Sequence, residues 1–275
     1  MSRYIQKHVL FAALPVLAFA VSGLSASATE SCSLEQGLSV EADKYIAEAE
    51  ACLTDGADVT PRTDVTASLV DFTNVQRYAT GRSELDTLDT LQQAAFLHAS
   101  DMAARAYAAH TDLEGRSHLD RVRMLDRQSL FGAFGANVTV VSSDATFAEI
   151  EQALASDPAN AANLVRNKFN STGVAAVEKD GKIFVVQLFA EKLGELDRPL
   201  PVSVQQGEKV KVRLASSGLE RVRWSVVSPG GTELAAGRSQ RLTDLPAEAG
   251  QGYLNVEIRY GGQSSTLQGP AMLIK

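Results

Sequence analysis

The sequence contains few cysteines, few aromatic residues and no excess of positive charge. Only 2 of its 275 residues are cysteine and 6% are aromatic, which excludes a disulfide-stapled scaffold and a four-thiolate zinc site. The formal net charge of −7 argues against a general nucleic-acid-binding protein, because neutralising phosphates requires surplus lysine and arginine. After residue 28 no apolar run is long enough to span a bilayer, which excludes a multi-span membrane protein.

The first 28 residues have the composition of a secretory signal peptide. Arg3 and Lys7 give a basic start, an apolar stretch follows, and small residues occupy positions 25–28, as at signal-peptide cleavage sites. We therefore expect an exported mature chain of residues 29–275, in the periplasm or in the medium. We expect no membrane span after the signal peptide is removed.

The two cysteines lie close to the expected mature N-terminus. Export allows Cys32 and Cys52 to form a disulfide. One straight helix would hold two residues of this spacing about 30 Å apart. A chain that doubles back near Gly37, before a helix over residues 41–53, would bring them together, and we predict this bridge.

Charge and hydrophobic pattern divide the mature chain. Residues 199–275 carry 9 basic and 6 acidic residues, whereas residues 29–198 are net −12. The C-terminal part consists of short valine-rich runs separated by turn residues, a pattern typical of a small β-sandwich. We predict an N-terminal helical extension at 29–60, a main domain at 61–197 and an immunoglobulin-like β-sandwich domain at 199–275.

Periodicity predicts the elements of the main domain. Apolar residues at three- and four-residue spacing predict helices, and β-rich runs around Asp180-Gly181 predict a hairpin. The predicted helices cover 41–53, 63–80, 86–109, 119–125 and 147–154, and the predicted strands cover 137–141, 172–177 and 182–189.

Five motifs occur in order over residues 68–192. They are Asn74-x-x-Arg77, the helix from Leu88 through His98-Ala99-Ser100-Asp101-Met102-Ala103, His110-Thr111-Asp112 with Gly115-Arg116 and Arg121, Gly135-Ala136-Asn137-Val138, and Asp157-Pro158 through Leu164-Val165. Together with a closing hairpin they resemble the CAP superfamily of cysteine-rich secretory, antigen 5 and pathogenesis-related proteins, in its bacterial SCP-like branch. The resemblance implies an α+β fold, an α–β–α sandwich with helices on both faces of a small antiparallel sheet.

The sequence departs from the family at its metal site. Metal-binding members use two histidines and acidic residues in a central cleft, and the resemblance places this cleft at His110, Ala136 and Asn160. Ala136 stands where the family has glutamate and Asn160 where it has the second histidine. Alanine offers no ligand atom and an amide is a poor zinc ligand, so we predict that the metal tetrad is lost and expect no cofactor. Asp157 and His118 are the candidate substitute polar groups.

Other polar residues have structural interpretations. We expect His98 to be a hydrogen-bonded core histidine and His118 to be an exposed loop residue. Asn137 and Asn163 are interpreted as structural residues whose amides satisfy loop backbone groups. For His110 a role at a helix C-terminus and a role in the cleft both remain open.

Three functional hypotheses follow. The first is a non-catalytic binding protein whose partner is a small lipid, an envelope component or a protein. The second is a hydrolase or peptidase that uses His110 as a general base with an acidic partner such as Asp157. The third is a structural envelope domain with a vestigial cleft. No residue is assigned as catalytic.

Overall fold

The computed structural model describes residues 32–215, 218–247 and 249–275, so the expected signal peptide lies outside the described residues. The described helices are α1 (Ala42–Thr54), α2 (Thr63–Ala79), α3 (Asp89–Arg105), α4 (His118–Leu125), α5 (Phe147–Ala155) and α6 (Pro158–Leu164). The described strands are β1 (Thr60–Pro61), β2 (Asp86–Thr87), β3 (Ser129–Ser142), β4 (Ser171–Lys179), β5 (Lys182–Glu195), β6 (Ser203–Val204), β7 (Val210–Lys211), β8 (Glu220–Val227), β9 (Glu233–Gly237), β10 (Arg241–Leu242), β11 (Gly250–Tyr260) and β12 (Gln263–Ile274). Within these ranges, none of the helices has the length and apolar character needed to cross a bilayer.

The N-terminal part is a three-layer sandwich. Its sheet has the order β1-β4-β5-β3, and β5 is antiparallel to both β4 and β3. Helices α3 and α4 pack on one face of this sheet, and α2 and α5 pack on the other. At Gly173 a Cβ atom would lie 2.2 Å from the backbone of Leu91, so glycine lets α3 lie directly on β4. This arrangement confirms the predicted α–β–α sandwich.

The C-terminal part is built from two β layers. Strands β12, β11, β8 and β9 form one layer, and the antiparallel pair β7 and β10 forms a second sheet. Val210 and Leu242 of the pair share a buried core with Trp224 and Val256 of the larger sheet. The indole nitrogen of Trp224 donates a hydrogen bond to the Ser239 carbonyl at 3.1 Å. The predicted β-rich second part is therefore confirmed.

One sheet runs through both parts. Strand β12 pairs with β3 at Gln268 and Phe131, which joins the two strand sets into a single ten-stranded sheet. The hydrophobic pattern did not predict this pairing. The domain boundary near residue 198 stays a prediction, because the sheet continues across it.

The N-terminal extension packs against both parts. Cys32 and Cys52 form a disulfide, which confirms the predicted bridge. The chain between them turns at Gly37, which has a positive φ of 74°. Helix α1 buries Tyr45 in a cluster that includes Leu97 of α3 and Ala271 of β12. The extension thus covers the join between the two parts.

The buried face of α2 differs from the prediction. The apolar spacing predicts an inward face made of Val65, Leu69, Phe72 and Val75. Val75 is nevertheless 62% exposed, whereas Arg77 is buried. The Arg77 guanidinium donates hydrogen bonds to the carbonyls of Ser83, Leu164, Arg166 and Phe169. These carbonyls lie at the end of α6 or in loops, where buried acceptors need donors. Arg77 supplies those donors and therefore lies inward.

Two predicted boundaries also change. Helix α3 ends at Arg105 instead of residue 109, because Ala106 has the left-handed φ of 54° that closes a helix. Asp157-Pro158, which follows the predicted helix over 147–154, begins the further helix α6. The Asp157 carboxylate accepts a hydrogen bond from the Ala159 backbone at 2.7 Å, and proline suits the first helical position.

Candidate functional site

Three histidines meet where α3 ends and α4 begins. His98 lies on α3, His118 is the first residue of α4, and His110 lies in the connecting loop. The ring centroids of His98 and His118 are 4.8 Å apart, and those of His110 and His118 are 5.4 Å apart. His98 and His118 are buried, while His110 is exposed. The expectation that His118 is an exposed loop residue is therefore wrong: its ring packs between the other two imidazoles.

Hydrogen bonds fix the proton positions in this cluster. Arg121 can only donate, and it donates to Nδ1 of His118 at 2.8 Å. His118 therefore carries its proton on Nε2, which lies 3.3 Å from Nδ1 of His110. In this arrangement His110 accepts through Nδ1 and, when neutral, carries its own proton on Nε2. The single lone pair of the neutral His110 ring is thus directed at His118.

Both buried rings are held neutral. Burial is the main cause that lowers the pKa of His98 to about 3, and the nearby positive charge of Arg121 adds to it. The pKa of His118 is also lowered, mainly by burial and then by the positive charge of Arg121. Nε2 of His98 donates to the Ala109 carbonyl at 2.9 Å, while its Nδ1 is buried without a hydrogen-bond partner. The structure thus places His98 in the core, as a hydrogen-bonded histidine.

A buried ion-pair network shapes the histidine loop. Asp112 binds Arg116 at 2.7 Å and Arg121 at 3.2 Å. Burial alone would raise the pKa of Asp112, but the two arginines and a backbone donor lower it below its ordinary value. Arg116 also donates to the Leu38 carbonyl and lies over the Tyr45 ring. The N-terminal extension therefore helps to hold the loop that carries His110.

The other predicted site residues are engaged elsewhere. The side chain of Ala136 packs with the apolar cluster beneath α3, and the Asn160 backbone carbonyl accepts a hydrogen bond from Asn137. The Asp157 carboxylate is exposed and caps α6. The ring of His110 makes its hydrogen bond to His118 rather than to any described carboxylate.

The amides of the two predicted structural asparagines form one small network. Asn137 also donates to the Gln187 side chain at 3.1 Å. Asn163 donates to the Ala136 carbonyl at 3.2 Å and to the Asn137 side chain at 3.0 Å. These contacts tie α6 to β3 and link β3 to β5.

The residues at the family's metal site do not fit a metal. Ala136 has no donor atom, and the free lone pair of neutral His110 points at the Nε2 proton of His118. No group of three or more His, Cys, Asp or Glu side chains within the described ranges is arranged to hold an ion. We therefore assign no chemistry through a metal to this site.

A cavity of about 320 Å³ opens beside this region, and sequence reasoning missed it. It lies between the C-terminal end of α3 and the tip of the β4–β5 hairpin. Its wall is apolar apart from Tyr107, and its charged groups come from the hairpin. The lining residues are Ala103, Ala106, Tyr107, Ala108, Val140, Lys179, Asp180, Lys182 and Phe184. In the sequence, the three alanines of this lining could have indicated the cavity, since small side chains leave space beside a sheet.

Tyr107 is fixed at the wall of this cavity. Its hydroxyl donates to the Asp101 carboxylate, which also forms a salt bridge of 2.7 Å with Arg105. Burial is the main cause that raises the pKa of Tyr107, and the hydrogen bond to Asp101 adds to it. Tyr107 therefore stays neutral, and its ring presents an apolar surface in a fixed position.

Comparisons with known proteins were made by sequence and by structure. A profile of the cysteine-rich secretory protein family, CAP, matches residues 70–189. Curated proteins gave no significant sequence match. An outer surface protein of Borrelia burgdorferi is similar at 17% identity and a TM-score of 0.42, over 50% of this chain and 98% of that one. An extracellular protein of Bacillus anthracis that contains an SCP domain is similar at 20% identity and a TM-score of 0.40, over 47% of this chain and 41% of that one. The family profile coincides with the three-layer sandwich and with the ordered motifs, and residues 70–189 of this chain are therefore a domain of the CAP family.

Proposed function

We propose that this protein is an exported, non-catalytic binding protein of the cell envelope or the medium. Its CAP domain takes a small amphiphilic ligand, of the lipid class, in the cavity between α3 and the β4–β5 hairpin. Export is supported by the signal-like leader and by the disulfide between Cys32 and Cys52, since such bridges persist in oxidising compartments.

The observation that carries the proposal is the direction of the histidine hydrogen bonds. A general base needs a free lone pair that faces the proton it removes. In neutral His110 the lone pair on Nδ1 accepts from His118. His118 in turn uses its own lone pair for Arg121. Neither ring is therefore placed as a base, and the hydrolase hypothesis has no supporting contact.

The cavity has the properties of a small-ligand site. Its volume of about 320 Å³ lies at the lower end of the range of roughly 300–1,000 Å³ typical of such sites. Its wall combines the rings of Tyr107 and Phe184 with alanine methyl groups. This volume fits part of an acyl chain rather than a large ligand.

The charged rim favours an anionic headgroup. Lys179 is paired with Asp58 at 2.8 Å, but Lys182 forms no salt bridge with a described acidic residue and is exposed at the hairpin tip. An amphiphile with its chain against Phe184 could therefore place a carboxylate beside Lys182. Desolvation of the chain would supply most of the affinity.

Binding of cis-parinaric acid, a fluorescent long-chain fatty acid, tests the proposal. Ala108→Trp fills the cavity from an exposed position, and Ala155→Trp at the exposed end of α5 is the matched control. We expect saturable binding by the wild type and by Ala155→Trp, and affinity at least tenfold weaker in Ala108→Trp.

Two further readouts separate headgroup recognition and catalysis. Lys182→Gln should weaken binding of the acid but leave binding of its methyl ester unchanged. Absence of saturable binding by the wild type, or equal affinity in both tryptophan variants, would overturn the cavity assignment. Hydrolysis of the methyl ester by the wild type, lost in His110→Ala, would overturn the non-catalytic assignment.

A further inference from the structure

A cationic groove lies on the C-terminal part, away from the histidine cluster. Two adjoining concavities of about 260 and 230 Å³ share Arg198 and Lys211 in their linings. Together they are lined by five cationic side chains and two acidic ones, a net charge of +3. The cationic groups are Arg198, Lys209, Lys211, Arg213 and Arg241. This positive groove belongs to a chain whose net charge is −7.

The cations form a row because of strand geometry. In Lys209-Val210-Lys211-Val212-Arg213 the two valines are buried and the three cations are exposed. Alternate residues of a strand lie on one face at a spacing of about 7 Å. The core therefore fixes the valines inward, and this directs a line of positive charge outward.

The pairing of β7 with β10 places a fourth cation beside this row. Lys211 is directly opposite Arg241 in the antiparallel register. Like charges at such positions destabilise a strand pair. Neither side chain forms a salt bridge with an acidic residue in the described ranges. An anion bound between them would remove this repulsion.

The two acidic side chains of the groove make contacts with groups other than Lys209, Lys211 and Arg241. Asp197 lies 3.0 Å from Arg213 and 3.8 Å from Arg198. Glu208 accepts a hydrogen bond from the Gln205 backbone at 3.0 Å. Lys209, Lys211 and Arg241 are thus left without acidic partners among the described residues.

The shape and composition of the groove distinguish between classes of polyanion. Neither concavity is lined by an aromatic side chain, whereas single-stranded nucleic acids are bound largely by stacking on aromatic rings. The lining also includes none of the large exposed hydrophobic residues that would insert into a lipid surface. A linear row of cations in a concave groove instead matches one flexible chain of regularly spaced anionic groups.

From these observations we infer that the groove around Lys211 and Arg241 binds an anionic polysaccharide. The arginine forks suit carboxylate, sulfate or phosphate groups, and the row on β7 lies along the polymer. This site is separate from the cavity in the CAP domain. It does not depend on a lipid ligand there.

Calorimetric titration of the full chain with a size-defined heparin octasaccharide tests the inference. The variant is Lys211→Gln with Arg241→Gln. The control is Arg223→Gln with Arg259→Gln, which makes the same change in net charge at two salt-bridged arginines of β8 and β11. We expect about tenfold weaker binding in the first double variant, as follows from the loss of two exposed ion pairs, and at most a twofold change in the control.

Salt dependence, thermal stability and other anionic ligands serve as controls for this titration. Wild-type binding should weaken as salt rises, and the thermal midpoints of both variants should show that they remain folded. Equal loss of affinity in both double variants would overturn the inference, since net charge alone would then explain binding. Tighter binding to phosphatidylglycerol vesicles, or equally tight binding to oligothymidine, would also overturn it.

Discussion

Arg123 is predicted to be the residue that most strongly couples the CAP domain to the C-terminal part. Its guanidinium, on α4, donates to the carbonyls of Gly269 and Leu254, each at 2.7 Å, and to the Asn255 side chain at 2.9 Å. It also lies 4.6 Å from the centroid of the Tyr253 ring. All four partners belong to β11 or β12, so one side chain of α4 bridges to two strands.

The replacement Arg123→Met keeps most of the side-chain volume but removes every donor. Each buried acceptor left without a partner costs about 1–3 kcal/mol, and loss of the stacked cation costs roughly another 1 kcal/mol. Relief from burying a charge offsets part of this cost, since burial lowers the pKa of Arg123 to about 10. We therefore expect a decrease of about 3 kcal/mol in the free energy of unfolding.

Urea unfolding with two optical probes can measure both the size of the effect and the coupling. The fluorescence of Trp224, the only tryptophan, reports on the C-terminal core. Circular dichroism at 222 nm reports on the helices, which in the described ranges all end before residue 165. In the wild type the two transitions should coincide, and in Arg123→Met they should shift to lower urea and separate.

The exposed Arg259→Met is the matched control, because its guanidinium makes only a 3.4 Å contact with Glu220. Its expected change is within 0.5 kcal/mol, as is usual for exposed pairs. A loss below about 1 kcal/mol in Arg123→Met, with coincident transitions, would refute the coupling argument.

Three further results are expected. The pKa of His98 in the folded chain is about 3, so below pH 6.5 the unfolded chain gains a proton there that the folded chain does not. Stability should therefore decrease as the pH is lowered. Between pH 7 and 5 the free energy of unfolding of His98→Gln should decrease by about 2 kcal/mol less than that of the wild type. Parallel curves of stability against pH would contradict this. Replacing Cys32 and Cys52 by serine should lower stability by about 3 kcal/mol in thermal or urea unfolding, as for a closed loop of this length; an unchanged midpoint would contradict it. Zinc titration should give no stoichiometric binding in either the wild type or His110→Ala, and a site lost only in the variant would show that the metal-site argument is wrong.

Much of the local structure could be predicted because it depends on residues close together in the chain. The Asp180-Gly181 turn is an example: both residues have positive φ and join β4 to β5. The expected reversal of the chain near Gly37 predicted the disulfide, and the short valine-rich runs predicted strands such as β7. The three-layer sandwich was implied by the resemblance of the ordered motifs to the CAP family.

Several features depended on partners far away in the sequence. The apolar pattern of α2 could not show that Arg77 would turn inward, because the carbonyls that it binds lie as many as 92 positions further along the chain. The sequence predicted an exposed loop residue at His118, but in the folded chain its ring packs against His98 of α3 and accepts a hydrogen bond from Arg121. Such contacts depend on the path of the whole chain, which local propensity does not encode.

From the sequence alone, residue pattern predicted the disulfide, and the resemblance to the CAP family implied the sandwich and the loss of ligand atoms at Ala136. The tertiary structure decided where His110 directs its lone pair, that β3 and β12 share one sheet, and that Arg241 lies opposite Lys211. The reason is physical. A proton position, a strand pairing and a like-charge neighbour are each set by the group that arrives from elsewhere in the chain, and that group is identified only once the chain has folded.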